Sequence, residues 1–155
     1  MIQRIQSLYL AVVSIFMVIF LCVSVWIKMS LHNACSFLLT PYALVGSSGQ
    51  YITMPYGLTC LLACLSILSA AYAIVRHDNR KLQLRLTFGI NVILILLLVW
   101  VFWLIRKADS TYLLVDGISS YKAGIVLPFM ALLANVLARH HIKNDERLVN
   151  EDNLR

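Results

Sequence analysis

Of four apolar stretches of the chain, residues 8–27, 55–75, 86–105 and 121–138, the first three contain no Asp, Glu, Lys, Arg or His, and the fourth contains only Lys122 at its start. A helix needs roughly 20 apolar residues to cross the hydrocarbon core of a bilayer. Inside lipid the backbone must satisfy its own hydrogen bonds, which leaves helices and closed barrels. Runs of this length are expected to be helical spans. The expected fold class is an all-α membrane protein, a four-transmembrane-helix bundle. The remaining composition agrees. The chain is 61% hydrophobic and 13% charged, with a mean hydropathy of +0.82. Soluble domains average about 45–50% apolar and about 25% charged.

The first run outlasts an ordinary signal-peptide core, and no A-x-A-like site follows it. Leu31-His32-Asn33-Ala34-Cys35 has a loose lipobox look, which His32 and Asn33 spoil. The segment is therefore expected to stay as an uncleaved first span. The second run opens at Pro55, where a missing N–H leaves no helical bond unmade. The fourth is interrupted by Pro128.

Basic residues set the orientation. Nine Lys and Arg fall at the N-terminus, between runs two and three, and in residues 139–155; four, Lys28, Arg106, Lys107 and Lys122, fall in or beside the connections 28–54 and 106–120. Both ends are accordingly expected in the cytoplasm. Trp26, Tyr56, Trp103 and Tyr121 then mark the outer interface, and Tyr9 and Tyr72 the inner one. Basic flanks of this kind account for the net charge of +6, so no nucleic-acid partner is expected.

Within the runs, Thr59, Ala63, Ser66, Ala70 and Ala73 recur at spacings of 4-3-4-3. Membrane helices lack a hydrophobic drive to associate, so such a small-residue stripe is a packing face. Asn91 and Asn135 lie at similar depth and are candidate interhelix polar contacts. Residues 93–103 are bulky nearly all round, as suits a helix largely surrounded by lipid.

The outer connections are not plain linkers. Residues 42–45 and 50–53 read as short strands around Gly46-Ser47-Ser48-Gly49, and 111–115 as another before Asp116-Gly117. Three strands can support one another where a lone hairpin is marginal. A small β-cap on the outer face is expected, with an interfacial helix over 36–40 as its rival.

Several functions are excluded by what the runs lack. Ionisable residues in spans mark ion pathways and proton relays. All seven acidic residues lie in connections or the tail, against proton-coupled transport. A membrane thiol oxidoreductase relays electrons through cysteine pairs. Here Cys35 stands alone in its loop, and Cys60 and Cys64 are one helical turn apart within a run. Adjacent His140 and His141 point about 100° apart on a helix and do not form an i,i+4 metal clasp. No cofactor, metal site or catalytic constellation is expected.

The ends carry the most pattern. Met1-Ile2-Gln3-Arg4-Ile5-Gln6-Ser7-Leu8-Tyr9-Leu10 alternates apolar and polar groups as it enters the membrane. Residues 139–155 form a charged helical tail with Lys143/Glu146 and Glu151/Arg155 at helical contact spacing, and with apolar Leu148 and Val149. Ile2, Gln3, Arg4, Ile5, Gln6, Asp145, Glu146, Leu148 and Val149 are the candidate interaction residues.

These two ends resemble the bacterial membrane proteins grouped as domain of unknown function 4293. Residues 1–10 match the family's opening run throughout. Ile142, Asp145, Glu146, Leu148, Val149, Asp152, Leu154 and Arg155 fit its closing pattern, and Asn144 stands where a lysine is expected. The resemblance implies an inner-membrane protein of a Gram-negative bacterium, which makes the outer face periplasmic; it brings no activity with it. Two functions are carried forward. The first is a non-enzymatic accessory or scaffold subunit of a membrane protein complex, contacting membrane lipid and either a partner or further copies of itself. The second is lipid or small-molecule handling within the helix bundle, with Asn91 and Asn135 as contacts. A thiol enzyme ranks below both.

Overall fold

The computed structural model describes residues 3–30, 36–46, 49–53, 55–76, 80–111 and 117–152, with side chains over 7–29, 36–46, 49–53, 55–76, 82–110 and 118–144. Four helices carry most of the chain: α1 (Gln3–Cys22), α2 (Leu58–Val75), α3 (Arg80–Thr111) and α4 (Val126–Asp152). They pack in a ring, each touching the two neighbours α1–α2, α2–α3, α3–α4 and α4–α1. Three stretches, Leu58–Val75, Leu82–Ser110 and Ala123–Asn144, are long and apolar enough to cross a membrane, and Ser7–Cys22 is a shorter apolar helix.

The ring interior is filled by large side chains from α1 and α3 against small ones from α2 and α4. Leu10, Val13, Met17 and Phe20 of α1 and Ile90, Leu94, Leu97, Val101 and Leu104 of α3 are buried. They form one cluster with Ala63, Ala70, Ala73, Ala131, Ala134 and Ala138. The outward surface is apolar too: Leu61, Leu68, Val75, Val99 and Leu133 are exposed, as expected where the solvent is hydrocarbon.

Over one end of the ring lies a five-stranded antiparallel sheet in the order β4-β3-β2-β1-β5. Its strands are β1 (Trp26–Ser30), β2 (Ser36–Leu39), β3 (Leu44–Gly46), β4 (Tyr51–Ile52) and β5 (Gly117–Tyr121). The sheet is larger than the expected cap. Strand β2 occupies the segment for which an interfacial helix was the rival. Strand β5 starts at Gly117, and residues 112–115 of the strand expected there lie outside the described residues. Thr111 closes α3.

The first apolar run is helical only to Cys22. Val23, Val25, Trp26 and Ile27 are β-branched or aromatic residues suited to a pleated surface, and the chain enters β1 while still free of charge. Freedom from charge reports burial or lipid; it does not separate helix from strand. Tyr121 likewise ends β5 and is not a helical residue. Pro128 does not interrupt α4. It is the third residue of that helix, in the first turn, where a backbone N–H has no intrahelical partner.

Two turns fix the sheet. Leu39 pairs with Leu44 around a turn in which the Ala43 N–H donates to Thr40 Oγ1 at 3.1 Å. Beyond β3, Gly49 takes a φ of +74°, the left-handed region that glycine enters without strain. The sheet is continuous with the helical core: Val25, Trp26, Leu39, Leu44 and Tyr56 belong to the same buried cluster as the helices.

Candidate functional site

Among the described residues no single cleft gathers the sequence candidates. The structure distributes them over three levels of the ring.

At mid-bundle, Thr59, Ala63, Ser66, Ala70 and Ala73 are the buried residues of α2. Ser66 Oγ donates to its own helix at the Ala63 carbonyl, 2.7 Å away, so the hydroxyl is satisfied without a partner helix. Asn135 of α4 is fully buried. Its Nδ2 donates to Asn91 Oδ1 at 2.7 Å and to the Thr87 carbonyl at 2.8 Å. One amide thus clamps α4 to α3 through a side chain and a backbone group. Among the described residues Asn135 Oδ1 has no donor, and neither has the buried Trp100 Nε1 an acceptor.

At the end away from the sheet, the Tyr9 ring of α1 stacks on His141 of α4, centroids 5.4 Å apart and 12° from parallel. Ile142 beside it is fully buried. Arg139 sits 5.0 Å over the Phe88 ring of α3. Gln83 Nε2 donates to the Ala73 carbonyl at 3.5 Å, reaching one of the carbonyls that the end of α2 leaves without intrahelical partners. The first turn of the charged segment is therefore bundle, not a separate solvated tail. Ile2 lies outside the described residues. Gln3, Arg4, Ile5 and Gln6 fall in the first turns of α1, and Asp145, Glu146, Leu148 and Val149 in the last turns of α4; their side chains lie outside the described ones.

At the sheet end, β1 runs between β2 and β5, pairing Lys28 with Phe37 on one side and Ser119 on the other. Lys28 is 5% exposed. Its Nζ donates to Asp109 Oδ1 of α3 at 2.8 Å. A lysine counted as a simple flanking charge is thus an internal ion pair joining sheet to helix. The alternation of buried Trp26 and Lys28 with exposed Met29 was the available signal, masked by the preceding apolar run. The next residues of α3 shape a groove of about 610 Å³ lined by Trp103, Arg106, Lys107, Asp109 and Ser110. Lys107 Nζ stands 5.0 Å over the Trp103 ring.

Cys22, Cys60 and Cys64 come together near Tyr42 at the same end. Cys60 and Cys64 stand one helical turn apart on α2. Tyr42 carries a phenol raised above its ordinary value, first by desolvation and then by the nearby Cys60, Cys22 and Cys64 thiols. Among the described residues no group of three or more His, Cys, Asp or Glu could hold a metal ion.

Three helices long and apolar enough to cross a membrane, ringed around a filled core with a small sheet at one end, point to a helical membrane protein. The chain belongs to the family described as Domain of unknown function (DUF4293), whose profile matches residues 2–153. A search of curated proteins returns no match.

Proposed function

We propose that the chain crosses the bacterial inner membrane four times, with both ends cytoplasmic and the sheet periplasmic. In this reading it serves as a non-enzymatic accessory or scaffold subunit of a membrane protein assembly. The observation that carries the reading is the filled ring. Its interior is taken up by its own side chains, from Leu10 to Leu104, and a fully buried polar group, Asn135, is spent on clamping α4 to α3. A bundle packed in this way favours a supporting role over ligand handling within the helices. The fourth crossing falls to α1, whose twenty residues reach about 30 Å at 1.5 Å per residue.

Purification in mild detergent at native expression, followed by mass spectrometry, tests the role: a reproducible membrane protein companion is expected, and recovery of the chain alone would count against it. Reporter fusions test the topology. A fluorescent protein fused after residue 155 is expected to fluoresce, whereas alkaline phosphatase inserted after Gln50 is expected to be active.

A further inference from the structure

We propose that the sheet end of α3 binds the phosphate of an anionic membrane-lipid headgroup. The proposal rests on the reading of α3 as a membrane span. Trp103, Arg106, Lys107 and Ser110 follow at i, i+3, i+4 and i+7, so they share one helix face, and all four line the groove. The remaining lining group, Asp109, is already engaged by Lys28 at 2.8 Å. Its charge is offset, and the lining also carries the basic side chains of Arg106 and Lys107.

The same face continues toward mid-bundle through Val99 and Leu96, both exposed. Arg106 stands seven residues from Val99, about 10 Å along the axis. A lipid seated here lays its acyl chains along Leu96, Val99 and the Trp103 ring and brings its phosphate to Arg106. An arginine fork matches two phosphate oxygens, and a lysine adds a point charge beside it. Trp103 supplies an indole at the depth where such rings anchor in the interface. A headgroup without a cation of its own is attracted by the basic residues; a zwitterionic one brings an ammonium that opposes the attraction. Free phosphate offers the same oxygens and nothing to cover the apolar stripe, so a lipid is the fitting occupant.

The test uses the full chain in nanodiscs of phosphatidylcholine with a minor fraction of phosphatidylglycerol, with retained lipid read by native mass spectrometry. Enrichment of phosphatidylglycerol is expected. R106Q/K107Q should lower it by roughly 30-fold, since each basic residue near an anionic headgroup contributes about a factor of five. R85Q/K143Q, which removes the same charge from exposed positions at the opposite end, should leave it unchanged. Equal retention of both lipids, equal loss in the two variants, or displacement of the bound lipid by inorganic phosphate would each overturn the proposal. Impermeant thiol labelling of S110C and R85C separates the two ideas. Labelling from opposite faces without lipid enrichment sinks the lipid site alone, whereas labelling from one face removes the span and the proposal with it.

Discussion

Tyr9 and His141 stack nearly parallel, 5.4 Å apart, from opposite ends of the chain. The contact lies just beyond the charge-free part of α4 and ties its charged continuation to the start of α1. Aromatic pairs contribute about 0.5–1.5 kcal/mol beyond their burial. H141A and Y9A should each lower the unfolding midpoint in detergent, and H141F should retain most of the stability. An H141F variant as weak as H141A would mean that stacking is not what the pair supplies.

Lys28 is the buried partner of its ion pair, while the Asp109 side chain is 45% exposed. Removing the acid strands an ammonium in the interior; removing the lysine leaves a carboxylate that water can reach. D109A should therefore destabilise by about 1–3 kcal/mol, below the range for a fully buried pair. K28M, which keeps the apolar stem, should cost less. Thermal unfolding of both variants decides it, and a larger loss for K28M would contradict the assignment.

The Asn135 amide serves two acceptors on α3. N135A removes both bonds, and N91A only one. Interhelical hydrogen bonds in membranes contribute about 0.6–1.7 kcal/mol. N135A is expected near the top of that range and N91A near the bottom. Denaturation of the single and double variants should give a non-additive cycle; simple additivity would show that the two amides act separately.

Ala63 and Ala70 are fully buried, while Leu61 and Leu68 are exposed. A63L or A70L forces extra methylenes into a closed helix contact and should cost about 1–3 kcal/mol. L61A and L68A should shift stability by no more than about 0.5 kcal/mol. If the leucine-to-alanine changes proved the more damaging, the buried face of α2 would be misassigned.

Two glycines should respond in opposite directions. A Cβ on Gly124 would stand 2.5 Å from the Ser24 carbonyl oxygen, whereas one on Gly89 meets nothing within 4 Å. G124A should destabilise, because backbone must move where the segment before α4 crosses the end of α1. G89A, inside α3, should be neutral or stabilise by up to about 1 kcal/mol. Unfolding midpoints falling together would refute the close approach.

The helices were legible where one periodicity governs them. The small residues of α2 recur at helical spacing, and that spacing alone indicates the face they share. The end of α1 was not legible, because Val25, Trp26 and Ile27 are as apolar as a span while their branched and aromatic side chains favour a strand. Strand β2 was ambiguous for the same reason: Ser36–Leu39 is too short for periodicity to decide. Lys28 and Asp109 are 81 positions apart, and no local pattern reports a contact of that range. The Tyr9–His141 contact was not legible either, since Tyr9 reads alone as an interfacial ring and His141 as one of two adjacent histidines in the charged tail.

The position of β1 between β2 and β5 also bears on biogenesis. Trp26 emerges from the ribosome about 95 residues before its partner Tyr121. At roughly 5–20 residues per second, that interval is about 5–20 s. During it, one edge of β1 has no strand beside it, and Lys28 has no Asp109 until α3 has been made. The sheet and its ion pair are therefore completed only after the third helix is in place, so that a nascent chain with α3 misinserted would be left with an open strand edge and an unpaired lysine.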